Sequence, residues 1–456
     1  MSTTMSTKLP APGLSRRKIF LATSFGHAIE WYEFSAYGFM AVYLAAVFFP
    51  SGNPTTGLLA TFGVFGLTFF IRPLGAVVFG PLADRIGRKR VLVIVLLLMS
   101  GSTALIGALP GYATIGAAAP LLLVALRALQ NFSAAGELGS VSAFIVEYSG
   151  PRRRGFGTSW LMFSATIGFT SGSALVSGLV SLVGDTAMEQ WAWRIPFLLA
   201  APLGLIGLYI RLRLEDTPEF RTLKKADKVA KSPLREALSY RRQIFTTMGL
   251  AGLHASSYYI VLTFMASYIT TTLGFGSGVA LTGTLSAAVA TMAVIPVVGA
   301  LSDRVGRRPI LITASAALVI APFPVFSLIT TSPTAVVVGQ VVLGLLVGTL
   351  VSTTLVSMTE IFPARVRVAG SSFAYSIANA VLGGSAPFIA TFLIDKTGSA
   401  ISPAAYLVFT SLLGLAASLA YRDASDAKAV GAPVPDPAHT TDPQRLPLPT
   451  PERGSG

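Results

Sequence analysis

Twelve apolar stretches, each about long enough to cross a bilayer, follow one another along the chain with polar breaks between them. They run approximately over residues 19–44, 56–80, 91–110, 118–147, 155–182, 193–212, 244–272, 278–301, 310–330, 334–358, 369–394 and 401–421. A spanning helix needs about 20 apolar residues. Lipid accepts a backbone only when its polar groups are hydrogen-bonded internally. The pattern therefore predicts an all-α polytopic membrane protein with twelve transmembrane helices. Composition agrees, with 52% apolar and 12% charged residues, against roughly 25% charged in an average soluble domain. A soluble enzyme, a disordered chain and a fibre are excluded. The 44 glycines suit close helix packing in lipid.

The cations set the orientation. With a cytoplasmic N-terminus, 30 of the 34 Lys and Arg fall on the inner side and only Lys396 on the outer; Arg72, Arg127 and Arg194 lie within spans. This asymmetry is the positive-inside pattern and places both termini in the cytoplasm. It also accounts for a formal net charge of +14 without nucleic acid, since these cations face anionic headgroups. The expected location is the cell membrane. Ser15-Arg16-Arg17-Lys18 and the apolar run after it look like a twin-arginine export signal, but the run carries Glu30 and Glu33, and it reads better as the basic flank of a first span. Cysteine is absent, and His27, His254 and His439 are too scattered for a zinc pattern. Neither a metal nor another cofactor is expected.

The expected organisation is a cytoplasmic tail (1–18), a six-helix bundle (19–212), a cytoplasmic loop (213–243), a second six-helix bundle (244–421) and a disordered Pro-rich tail (422–456). An internal repeat supports the division. Gly80-Pro-Leu-Ala-Asp84-Arg85-Ile-Gly87-Arg88 returns 219 residues later as Gly299-Ala-Leu-Ser-Asp303-Arg304-Val-Gly306-Arg307. Glu147 with Arg152, Arg153 and Arg154 returns 213 residues later as Glu360 with Arg365 and Arg367. Two motifs repeated in order at nearly one offset indicate a duplicated unit. Parallel halves with a site between them are a transporter architecture.

The Gly80–Arg90 segment resembles the signature loop of the major facilitator superfamily. Within it the chain resembles the metabolite:proton symporter family, through Gly26-His27-Ala-Ile-Glu30-Trp31-Tyr-Glu33-Phe34, Phe48-Phe49-Pro50, Arg72-Pro73-Leu-Gly75, Arg127 to Gln130, Gly136-Glu137, Glu147-Tyr-Ser, Arg154-Gly-Phe and Trp191-Ala-Trp-Arg194-Ile-Pro-Phe. Pro202 to Tyr209 and Leu214 to Pro218 look most like the proline/betaine branch. Phe48 to Asn53 and Gly383 to Pro387 look equally like the 2-oxoglutarate and citrate branches. The resemblance implies the major facilitator fold and proton-coupled uptake, the proton being the coupling ion. The chain departs from the family's pattern at His27, where a small polar residue is usual, and at Asn131, where glycine is usual. Its tail lacks the coiled coil of osmosensing relatives.

An ionisable group at mid-membrane costs roughly 2.5–3.5 kcal/mol and marks function. Glu30, Glu33, Arg72, Arg127 and Glu137 lie deep in the spans of the first half. Glu30, Glu33 and Glu137 are candidate proton carriers. Glu30 and Glu33 are expected on one helical face with His27 and Tyr37. Arg127 is the candidate for a substrate carboxylate, and Arg72 is read first as structural. His27, Trp31, Tyr37, Tyr258, Tyr259 and Asn379 are candidate pocket residues, the aromatic ones able to hold a quaternary ammonium group. Tyr375 and Gln340 are weaker ones. By the resemblance, Asp84, Arg85, Arg88, Glu147, Asp303, Arg304, Arg307 and Glu360 form a cytoplasmic gate. One deep cation favours a zwitterion such as proline or betaine, with an organic acid as the alternative and an exporter as a further one. A polytopic enzyme lacks its catalytic constellation. The partners expected are a small molecule and the bilayer, the protein being a monomer.

Overall fold

The chain is represented by a computed structural model that describes residues 16–50, 61, 64, 67–150, 152–213, 216–225 and 231–422. The outer parts of both expected tails, most of residues 51–66 and part of the central loop lie outside the described residues. The longer helices, in chain order, are α1 (Arg16–Phe39), α2 (Arg72–Ile86), α3 (Arg88–Ala108), α4 (Ala118–Tyr148), α5 (Arg154–Ala187), α6 (Ala200–Leu212), α7 (Arg241–Tyr259), α8 (Ser277–Val305), α9 (Arg307–Ile320), α10 (Pro333–Glu360), α11 (Arg367–Ala378) and α12 (Pro403–Ala420). There is no strand among the described residues.

Nine helical stretches among the described residues are long and apolar enough to cross a membrane. A tenth is added if α9 and Pro322–Ile329, bent by 47° at Ala321, form one span. Twelve were expected from the sequence. The two that fall short are the first helix of each half, α1 and α7, and the reason is their polarity. α1 buries Thr23, His27, Glu30, Glu33 and Ser35; α7 buries Thr246, Thr247, His254, Ser256 and Ser257. Both helices turn these side chains inward, away from lipid.

The repeated signature loops have the same backbone. Gly87 between α2 and α3 has φ 105°, and Gly306 between α8 and α9 has φ 92°. Only glycine adopts that region without strain. α1–α6 meet α7–α12 chiefly along two seams, α2 against α11 and α5 against α8. Both seams are tight. A Cβ on Gly80 would come within 2.9 Å of Ala369 Cα, and one on Gly155 within 2.7 Å of the Gly299 carbonyl. α5 also lies close on α1, with Gly168 against the backbone of Ala28 and Gly172 against Ser35.

Two helices lose their α-register at mid-length. α7 runs into a π-helical stretch, Ile260–Phe264, and α11 into another, Asn379–Gly383. Short π segments recur at functional sites, and these two follow Tyr259 and begin at Asn379.

Candidate functional site: a closed central cavity

A small cavity lies where α1, α2, α4 and α11 meet. His27, Glu30, Trp31, Arg72, Ala134, Ala135, Leu138, Tyr375 and Ser376 line it. Its volume is about 10 Å³, at the lower limit for one water. The site is therefore closed, and a metabolite enters only if its walls separate.

α1 supplies three of the cavity's polar groups, one helical turn apart. His27 Nδ1 lies 3.1 Å from Glu30 Oε2. Trp31 donates its indole N–H to His27 Nε2 at 3.3 Å. Glu33 points elsewhere: it accepts from Ser100 at 2.6 Å and Thr103 at 2.7 Å, both on α3. Six residues turn by about 600°, which sets Glu33 roughly 120° from His27 around the helix; Glu30 stays with His27 at the cavity, while Glu33 faces a hydroxyl pair inside the first half. The expected grouping of both carboxylates with His27 and Tyr37 therefore holds only for His27 and Glu30.

The two arginines are placed differently from the sequence reading. Arg72 lines the cavity, its Nε donating to Asn131 Oδ1 at 3.1 Å. Its guanidinium lies 4.9 Å from the Phe69 ring and 5.8 Å from the Phe34 ring. Arg127 is set behind Phe34, 5.7 Å from that ring and 4.1 Å above Tyr37. It donates to Gln130, whose amide reaches Thr103 at 2.7 Å. Arg127 thus joins the Glu33 network, and Tyr37 with it. Asn131 also donates to Thr68 at 3.1 Å, which fixes the Arg72 partner.

Glu137 has a partner that the sequence did not reveal. Arg211 on α6 holds both of its carboxylate oxygens, Nη1 at 3.2 Å from Oε2 and Nη2 on Oε1. Arg211 also donates to the Leu92 carbonyl at 2.6 Å. It crosses α1 at Gly26, where any side chain would strike the guanidinium. Single ligand atoms of His27, Glu30 and Glu137 lie within 4.8 Å of one another and could hold a cation. Arg211 already occupies the Glu137 end, so a metal ion would have to displace a bidentate guanidinium.

Aromatic rings close the cavity from the second half. Trp31 packs 5.2 Å from Tyr258 and 5.8 Å from Phe34. Tyr259 lies 5.9 Å from Phe34 and 5.8 Å from Phe69. His254, beneath Tyr375 at 6.2 Å, and Asn379 are buried nearby on α7 and the π stretch after α11. Gln340 is buried on α10.

At the end of the bundle that carries the two signature loops, two sets of contacts cross between the halves. Asp84 pairs with Arg88 at 3.3 Å and accepts from the backbone N–H of Ala369, at the start of α11, at 2.9 Å. Arg88 continues to Glu147 at 3.2 Å, and Glu147 to Arg367 at 3.0 Å. In the second copy Asp303 pairs with Arg307 at 2.9 Å and accepts from the N–H groups of Gly155 and Phe156, at the start of α5, both at 2.8 Å. Glu360 meets Arg307 and Arg154, each at 3.3 Å. Each aspartate thus places its charge at a helix N-terminus, where anions are stabilised. Arg85 and Arg304 are exposed and stand outside these pairs; Arg85 donates to the Lys231 carbonyl.

The likeness to known proteins covers nearly the whole described chain. The Major Facilitator Superfamily model matches residues 23–295 and 284–450. A proline/betaine transporter of Escherichia coli (strain K12) is 36% identical over 435 residues, covering 91% of this chain and 85% of its own. A citrate-proton symporter of Klebsiella pneumoniae is 34% identical, covering 91% and 94%. An alpha-ketoglutarate permease of Escherichia coli (strain K12) is 35% identical, covering 83% and 88%. In structure, a major facilitator superfamily proton:xylose symporter bound to 6-bromo-6-deoxy-D-glucose superposes with a TM-score of 0.74 at 15% identity, covering 89% of this chain and 94% of that one. The chain is therefore a multi-pass membrane transport protein rather than an enzyme, and it belongs to the major facilitator superfamily, within its metabolite:proton symporter family.

Proposed function

We propose that the protein takes up a small zwitterion of the proline or betaine kind together with protons, by alternating access. The carrying observation is the charge content of the cavity: one guanidinium, Arg72, one carboxylate, Glu30, and two aromatic faces, Trp31 and Tyr375. Arg72 would take the substrate carboxylate in a fork. Glu30 and the rings would take the cationic end. Asn379, Tyr258 and Tyr259 would complete the second-half wall once the cavity widens. The protein has no other cofactor in this reading, and the coupling proton is taken up at the His27–Glu30 pair, beside the fixed Glu137–Arg211 pair.

The transport cycle would rock residues 19–212 against 244–421. In the closed arrangement described above, the two cytoplasmic sets of pairs act as the inner gate. They must part for release, and the Gly80–Ala369 and Gly155–Gly299 approaches must open with them.

A second reading, an organic acid such as 2-oxoglutarate or citrate, has one observation in its favour. Arg127 and Arg72 approach the same Phe34 ring, at 5.7 and 5.8 Å. A rotation of Phe34 would expose two cations to one anion. The test is uptake into proteoliposomes driven by a pH gradient, with labelled proline, betaine and 2-oxoglutarate side by side. Accumulation of a zwitterion that collapses with a protonophore supports the first reading. Accumulation of 2-oxoglutarate alone replaces it with the second, and outward movement of each would make the protein an exporter.

A further inference from the structure

The hydrogen-bond partners of His27 assign one tautomer to its ring. An indole N–H is a donor only. Trp31 gives its N–H to His27 Nε2 at 3.3 Å, so Nε2 carries a lone pair. The single ring hydrogen of the neutral imidazole is then on Nδ1, aimed at Glu30 Oε2 at 3.1 Å. The arrangement has no room for a second ring hydrogen while Trp31 stays. A hydrogen on Nε2 would meet the indole N–H head-on.

We infer that Trp31 is the residue that transmits proton occupancy from the first half to the second: the arriving proton lodges on His27 Nε2 and evicts the Trp31 indole. This deepens the proton-coupled reading and rests on it. The step is a simple protonation. The proton binds the Nε2 lone pair, the Trp31 N–H···N bond breaks, and His27 becomes an imidazolium beside the Glu30 carboxylate. Departure of the proton restores the lone pair, and the indole swings back onto it. Trp31 is placed to pass this on, because its ring packs against Tyr258 of α7 at 5.2 Å and Phe34 of α1 at 5.8 Å. A displaced Trp31 unseats one of the aromatic contacts that hold the cavity shut.

The charged surroundings suit the step. On α1 itself Glu30 faces the ring. α4 presents Glu137, already neutralised by Arg211 of α6. α2 presents Arg72, and α11 presents Tyr375 across the cavity. α7 contributes Tyr258 against Trp31. α3 carries no ionisable side chain between Val91 and Ala108, and α5 none between Phe156 and Gly184. At the outer end of α1, Arg194 is turned to the Leu109 carbonyl. The added proton therefore completes a balanced set, with Glu30 and Glu137 against His27 and Arg211, and Arg72 left for the substrate.

The test reads the indole directly, without substrate. Emission is recorded from pH 5 to 8 in proteoliposomes for the wild type and for Trp31→Phe, and the difference isolates Trp31. The expected result is a single-proton step in the difference that disappears in His27→Gln, whose amide can mimic both hydrogen bonds but cannot titrate. No step overturns the inference and puts the proton on the far oxygen of Glu30, which would leave Trp31 seated; a step that persists in His27→Gln also overturns it, because the group titrating beside Trp31 is then not His27. A measurement that leaves His27 intact guards against misfolding of that variant. In His254→Gln/His439→Gln the only remaining imidazole is His27. Its ¹⁵N resonances must show a lone pair on Nε2 at pH 8 and lose it on acidification; a hydrogen on Nε2 at pH 8 refutes the assignment. Failure of the proton-coupled reading itself appears separately, as absence of pH-gradient-driven accumulation of labelled proline, betaine or 2-oxoglutarate in the same liposomes.

Discussion

Arg211 reaches over Gly26 to grip both carboxylate oxygens of Glu137 in the centre of the first half. Both side chains are almost wholly buried. A buried pair of this kind contributes little net stability, yet removing one partner strands the other charge, at about 3–5 kcal/mol. Arg211→Met alone should therefore lower the melting temperature in detergent by many degrees. Glu137→Leu/Arg211→Met should restore it. A double variant as unstable as either single one would mean that the pair carries more than mutual neutralisation.

The cavity predicts unequal roles for the two deep arginines. Arg72→Ala should weaken substrate binding by roughly 10- to 150-fold, the range for losing a charge-assisted hydrogen bond, and Arg72→Lys should recover only part of it because the fork is lost. Arg127→Lys should leave the apparent affinity close to wild type while lowering the maximal rate. Binding measured by tryptophan quenching alongside uptake separates the two. If Arg127→Lys is the variant that loses affinity, the organic-acid reading gains.

Glu30 faces the cavity and Glu33 faces Ser100 and Thr103. Glu30→Gln should therefore abolish accumulation driven by a pH gradient and keep counterflow exchange. Glu33→Gln should keep pH-driven accumulation, because a carboxamide oxygen still accepts from one of the two hydroxyls. It should lower thermal stability by about 1 kcal/mol through the lost second acceptor. The check is the pH dependence of the two modes of uptake, measured on each variant.

The division of labour among these residues shows how far the sequence can be read. The charged pairs at the signature loops are legible because their residues are duplicated: Asp84 and Asp303, Glu147 and Glu360 identify one another by offset. Glu30 and His27 are legible as rare polar groups in an apolar run. The inversion of Arg72 and Arg127 is not, because which side of α2 or α4 faces the cavity depends on how Phe34 and Asn131 wedge between the helices. Arg211 escapes for another reason. It closes an apolar run and so reads as one more cytoplasmic cation, although it folds back along α6 toward Gly26. The π stretches after Tyr259 and at Asn379 leave no mark in the residue pattern, since one extra residue per turn shifts a face without changing composition.

The seams offer a conformational test. Gly80 has no space for a side chain against Ala369, so Gly80→Val should force α2 from α11 and hold the cytoplasmic side open. The chain contains no cysteine, which makes a single introduced thiol a clean reporter. Ser142 on α4 accepts a hydrogen bond from Thr359 on α10 at 3.0 Å, so Ser142→Cys sits at the closed inner contact. Its labelling from the cytoplasmic side should rise at least tenfold in Gly80→Val. Unchanged labelling would show that the inner side closes by another route.

The crossed anchoring of Asp84 on α11 and Asp303 on α5 bears on leakage. Each aspartate belongs to one half and neutralises a helix end in the other, so neither half can swing away while either anchor holds. Both anchors, and with them the Glu147–Arg367 and Glu360–Arg154 pairs, must part before this side admits ions. If each release costs about 1.5–3 kcal/mol, as for a charged hydrogen bond, the two costs together make chance opening rarer by a factor on the order of 10²–10⁴. A duplicated loop thus gives a carrier more than symmetry. It gives the empty protein a double lock against dissipating the gradient that drives it.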